Sequence, residues 1–140
     1  MNLKILVDVN VLLDVLLRRQ PHFEASEAIW TAVEHHKIDG WVSADSFSTL
    51  YYLSHRALNH AEAYHGIQMV HKVFATAPLD AAVIGEALRL TVDDFEDAVK
   101  YACALQLNVT AIVTRDERHF QHATIPVMTP RAFLAKFNLA

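Results

Sequence analysis

The stretch ILVDVNVLLDVLL, residues 5–17, is apolar except at Asp8, Asn10 and Asp14. With the preceding residues it opens as LKILV (3–7), a short continuous apolar run. Such a run is the pattern of a strand buried on both faces, which belongs to a parallel sheet covered by helices. VLLDVLLRR then reads as a helix that stops before Pro21. A bare carboxylate in such surroundings is costly unless something pairs with it, so Asp8 requires a partner. From spacing alone Asp8 suits a helix N-cap and a ligand equally well. Asp14, with Glu24, Glu27 and Glu34, reads as surface charge.

Working outward, FEASEAIWTAVEHHKI has Phe23, Ala28, Ile29, Ala32 and Val33 at helical spacing, and Asp39-Gly40 reads as its end. GWVSA is a strand. SFSTLYYLSHRAL and AEAYHGIQMVHKVF are helices, FATAPL holds a short strand, and Asp80 is placed to cap AAVIGEALRL. In VDDFEDAVKYACAL, Asp93 and Glu96 have capping-box spacing. VTAIVT (109–114) and IPVMT are strands. TPRAFLAKF closes the chain as a helix, with Thr129 as cap and Pro130 at its first position. Strands that alternate with helices predict an α/β fold with a central parallel sheet between helical layers. No repeat or low-complexity segment divides the 140 residues, so they read as a single domain, 1–140, able to bury a core.

The apolar fraction is 53% and the net charge −4, so no global positive field draws nucleic acid; a local basic rim is still compatible. Only 3 Gly and 4 Pro argue against linkers or disorder. Cys103 is alone, so no intramolecular disulfide forms, in keeping with a reducing cytoplasm; it reads as a core thiol. Asp8, Asn10 and Asp14 break the one run that resembles a signal peptide, and no span has transmembrane length without charges.

Parallel α/β sheets bind ligands beyond the carboxyl ends of their strands. Asp8 follows LKILV directly, Asp116 follows TAIVT almost directly, and Asp97 lies one turn into the helix before that second strand. Carboxylates brought together resist ionising, and a divalent cation resolves the conflict; Mg²⁺ or Mn²⁺ favours such oxygen ligands. Removing one charge from such a cluster is expected to relieve repulsion. The competing readings are structural: Asp116 as a turn residue, and Asp97 as solvent-exposed, since it points away from the side shared by Phe95, Ala98, Ala102 and Leu105.

ILVDVNVLLDVLLRR, DDFEDAVKYACAL, IVTRDERHF and the closing IPVMTPRAFL, in this order and spacing, resemble a PIN domain over nearly the whole chain. The resemblance implies a small α/β fold with an acidic metal site and Mg²⁺- or Mn²⁺-dependent ribonuclease activity. For a chain of this size it implies a VapC-like toxin of a toxin–antitoxin pair, with a homodimer and an antitoxin as partners. It assigns Asp8, Asp97 and Asp116 as the catalytic acids and metal ligands, Asp94 as an additional ligand, and Asn10 and Thr114 as supporting residues. One position departs. The family's usual Glu on the helix after the second strand aligns with Thr49, and Asp45 is the nearest acid.

The reaction implied is phosphodiester hydrolysis, in which a divalent ion activates water and stabilises phosphate charge. Arg115 and Arg118 flank Asp116 as candidate RNA contacts, and Arg18 and Arg19 end the first helix; ordinary solvated charges fit them equally. Tyr51 and Tyr52 are placed to stack on bases, with at least one expected in the core. Nine histidines give no i,i+4 pair, and His119 with His122 lacks a third ligand, which argues against zinc. A phosphoacceptor receiver domain would require a lysine closing a later strand, and none is present. The alternative is a PIN-like module that binds RNA or protein without cutting, which the missing Glu favours and the retained acids disfavour.

Overall fold

The computed structural model describes residues 3–117 and 124–139. The strands are β1 (Leu3–Val7), β2 (Ile38–Ser43), β3 (Ala75–Ala77), β4 (Ala111–Val113) and β5 (Val127–Met128). The helices are α1 (Val9–Leu16), α2 (Phe23–Glu34), α3 (Ser46–Ala57), α4 (His60–Val73), α5 (Ala81–Arg89), α6 (Phe95–Leu107) and α7 (Pro130–Lys136). All neighbouring strands pair in parallel, in the order β3-β2-β1-β4-β5. The central parallel sheet flanked by helices is the α/β architecture expected.

The two-residue period of the strands divides the core into two layers. Ile5, Val7, Ala111 and Val113 face the layer built with α1, α2, α3, α4 and α7. Leu6 and Ile112 face the layer built with α5 and α6. β1 is buried on both sides, which is why its sequence is apolar without alternation. Its neighbour is β4, with Val7 opposite Val113, so two strands far apart in sequence end side by side.

Asp39-Gly40 does not end α2 but lies inside β2. The helix stops earlier, where His36 takes a left-handed φ of 60° and Lys37 N–H bonds back to Ala32 O. Gly40 serves packing instead: a Cβ there would stand 2.6 Å from a Val33 methyl, so its absence lets α2 approach the sheet. The cap of α6 is shifted by one residue from Asp93/Glu96. The helix begins at Phe95, and Asp94 Oδ1 accepts from Asp97 N–H at 3.1 Å. Asp80 and Thr129 cap α5 and α7 through Val83 N–H and Ala132 N–H, as read from the sequence.

Candidate active site

Asp8 is the first residue beyond β1, and its own N–H extends the ladder to Val113 O. Its side chain caps α1 by accepting from Val9 N–H at 2.8 Å, yet capping leaves most of its bonding capacity for others. Thr114, the first residue beyond β4, donates its hydroxyl to Asp8 Oδ2 at 2.8 Å and is fully buried. That same Oγ1 accepts from Asn10 Nδ2 at 3.3 Å and from Asp116 N–H at 3.1 Å. Asn10 Oδ1 accepts from Arg115 N–H at 3.2 Å. The carboxyl ends of β1 and β4 are thus tied through one hydroxyl, which brings Asp8, Asn10, Thr114 and the backbone of Asp116 together.

From the opposite side α6 delivers a cation. Lys100 Nζ stands 2.7 Å from Asp8 Oδ1, with both side chains largely shielded from solvent. Burial disfavours the ammonium, but the Asp8 carboxylate, by charge and by hydrogen bond, more than offsets this, with Glu96 and Asp45 adding. The net effect holds the lysine above its ordinary range. Asp97 lies one turn before Lys100, on the same side of α6. It is 8% exposed, as is Asp8, and not solvent-facing as the helical wheel suggested. The wheel was oriented on Phe95, which is itself 52% exposed; α6 is buried nearly all round from Asp97 to Ala104.

Asp14 is also not a surface charge. Its carboxylate is 0% exposed and accepts from Arg19 Nε (3.1 Å), Ser26 Oγ (3.0 Å) and Arg115 Nε (2.7 Å). Arg115 therefore brackets the segment after β4 onto α1. Arg118 lies outside the described residues, as do His119 and His122. Asp94 is exposed at the head of α6, and Thr49 is half-buried early in α3. Asp45 precedes α3 but makes no cap bond, and its Oδ1 is buried without a hydrogen-bond partner. Tyr51 is half-buried and Tyr52 exposed, so neither belongs to the core.

The donor set suits a hard divalent cation: it is all carboxylate, hydroxyl and amide oxygen, and an orphaned carboxylate oxygen stands at the head of α3. Among the described residues no three His, Cys, Asp or Glu side chains are grouped closely enough to hold an ion. The cation on Asp8 here is the ammonium of Lys100, which stands where positive charge is called for. Sequence reasoning passed over Lys100 and the Asp14 cluster. The spacing of Asp97 and Lys100 by three residues was a usable signal for the first; the pairing of Asp14 with Arg115, across 101 residues, left none.

Among the described residues no helix is long and apolar enough to cross a membrane. Ribonuclease VapC1 of Aquifex aeolicus (strain VF5) is 25% identical in an alignment 140 positions long that covers 96% of each chain. The fold is similar to that of Mycobacterium tuberculosis VapC20, described as a toxin that cleaves the sarcin–ricin loop: TM-score 0.67 and 15% identity, covering 82% of this chain and 92% of that one. It is similar also to a toxin–antitoxin complex from Klebsiella pneumoniae: TM-score 0.67 and 17% identity, covering 89% and 96%. The PIN domain model matches residues 4–118, from the start of β1 past the Asp116 corner. With the match running across every element that builds the Asp8 site, the chain belongs to the PIN-domain family.

Proposed function

We propose that this PIN domain is a metal-dependent ribonuclease that hydrolyses RNA phosphodiester bonds with Mg²⁺ or Mn²⁺, and that it acts as the toxin of a toxin–antitoxin pair. The observation that carries the reading is the joining of Asp8 to Thr114 and Lys100 at the carboxyl edge of the sheet. In this reading Asp8, Asp97 and Asp116 hold the ion, and Asp94 and Asp45 are the further acids within the same end of the fold. Bound there, the ion supplies an acidified water and stabilises charge on phosphorus oxygens. Asn10 and Thr114 fix the Asp8 carboxylate and the Asp116 backbone, so that neither must reorganise when RNA arrives. Lys100 offers its ammonium to Asp8 before loading and to a phosphate oxygen afterwards. Arg115 and Arg118 are the basic residues next to Asp116 in sequence and are assigned to the RNA backbone. Thr49 takes the place of the family's Glu and leaves the fourth carboxylate to Asp45.

The partner reading rests on the fold shared with toxin–antitoxin assemblies and on a groove of about 660 Å³ lined by Leu16, Phe23, Trp30 and Met69, among others. That groove is suited to an antitoxin segment. Exposed Leu88, Leu79 and Phe95 are available to a homodimer contact.

Thr49 also favours a second reading, a PIN module that binds without cutting. Cleavage of a structured RNA titrated with Mn²⁺ separates the two. The wild type is expected to cut and Asp8→Asn to be silent. The variant should also unfold more easily without metal, because Asp8 balances Lys100; the simple charge-relief expectation is thereby reversed. Metal-independent cutting, or none by the wild type at any Mn²⁺ concentration, would refute the ribonuclease reading.

A further inference from the structure

We propose that the ring-lined outer face of the α3–α4 hairpin binds single-stranded RNA by base stacking, as the track that leads substrate to the Asp8 site; this rests on the ribonuclease reading above. Helix α3 starts three residues after β2 ends, on the carboxyl edge of the sheet where Asp8 lies. Along it Phe47, Tyr51 and His55 recur at four-residue spacing, which places them on one side of the helix over about 12 Å of its length. On α4, His71, Tyr64 and His60 run back beside them. The centroids are close: Phe47 to His71 6.1 Å, Tyr51 to His55 5.6 Å, Tyr51 to His60 5.8 Å and His60 to Tyr64 5.6 Å. Tyr51 Oη and His60 Nδ1 share a hydrogen bond at 2.7 Å, which stiffens the middle of the row. On the adjoining side of α3, Tyr52 is 60% exposed, and the Arg56 guanidinium lies 5.7 Å from its ring centroid.

The charge of this face selects the occupant. The chain carries a net charge of −4, yet α3 has no carboxylate in its twelve residues. The one acid of α4, Glu62, lines the groove beside α1 and α2. Phe47 packs against the core and Tyr51 is half-buried, so the exposed rings are Tyr52, His55, His60, Tyr64 and His71. With Arg56 among them and no carboxylate on α3, they match a polyanion that offers flat bases. The row lies along α3, which leaves the sheet at the carboxyl edge that carries Asp8, so a strand stacked along it runs toward that edge.

The test is fluorescence anisotropy with a short fluorescein-labelled single-stranded oligoribonucleotide, in EDTA so that nothing is cut. His55→Ala/Tyr64→Ala removes two exposed rings that lie outside the core and is expected to weaken binding by about tenfold or more. Glu86→Gln, on α5 across the sheet, is expected to keep the wild-type Kd. A double variant that binds within about twofold of wild type overturns the proposal. So does a wild type that shows no binding. A variant whose oligomeric mass falls while its Kd holds makes the face a contact between protein copies and overturns it too. The two readings fail separately: RNA that binds through the rings but is never cut refutes the ribonuclease alone, and RNA that is cut with Kd indifferent to the rings refutes the track alone.

Discussion

Replacing Asp14 by Asn changes one oxygen to nitrogen at the centre of a four-residue cluster. The carboxylate is 0% exposed and takes bonds from two guanidinium nitrogens and one hydroxyl. Charge-assisted bonds contribute about 1.5–3 kcal/mol each and neutral ones about 1 kcal/mol. Two corrections reduce the total. The guanidiniums keep 37% and 28% of their side-chain exposure and regain some hydration in the variant. The wild type also carries the cost of burying the carboxylate, which the amide lessens. The net loss should be about 3 kcal/mol, at the low end of what breaking a buried pair costs. For a chain of this length that lowers Tm by about 10 °C. Urea unfolding followed by circular dichroism measures it, with an unchanged m value showing that the denatured state is the same. Adding Arg115→Met to Asp14→Asn should then cost little more, because the bond it removes is already lost. A loss below about 1 kcal/mol, or full additivity of the two changes, would show that the cluster is not a coupled unit.

Lys100→Met should tighten Mn²⁺ binding by about tenfold or more in calorimetric titration, since a unit charge ~5 Å away at an effective dielectric near 20 is worth ~3 kcal/mol; unchanged or weaker affinity would mean that Lys100 shapes Asp8 rather than competing for it. Burial, with Asp45 and Asp80 adding, pushes the Cys103 thiol up to about 11 from an ordinary 9.0. The folded state therefore holds a proton that the unfolded chain releases, and stability should fall as pH rises between those values. Cys103→Ala should flatten that part of the urea-midpoint profile, and the native thiol should resist iodoacetamide at pH values where the unfolded chain reacts; equal reactivity of the two states would contradict its burial.

The fold was legible because its strands are short apolar runs and its helices carry Asp, Thr and Pro at their heads. Asp80 and Thr129-Pro130 could be read as caps because capping is a contact between residues three apart. The acids at the strand ends were legible for a topological reason: in a parallel sheet the residue after a strand has only one edge to occupy. What failed were judgements of environment. Asp14 reads as surface charge in the sequence because its polar partners Ser26 and Arg115 lie 12 and 101 residues away. Asp97 lies opposite Phe95 on the helix, but Phe95 is an apolar residue that is exposed, so it misdirects the wheel. Asp39-Gly40 had the composition of a turn, but Gly40 answers to Val33 across the layer. In each case the deciding neighbour came from another element, and local spacing carries no record of it.

The bond between Thr114 and Asp8 spans 106 residues. A chain leaving the ribosome therefore exposes Asp8 well before it has Thr114, Arg115 and Asp116. Before then β1 has no β4 beside it, and Lys100 is the last member of the site to have appeared. Long-range pairings of this kind are the slow part of folding. A nuclease of this build thus has no complete centre while the intervening residues are made, and the strand that comes to lie beside β1 is also the one that arms it.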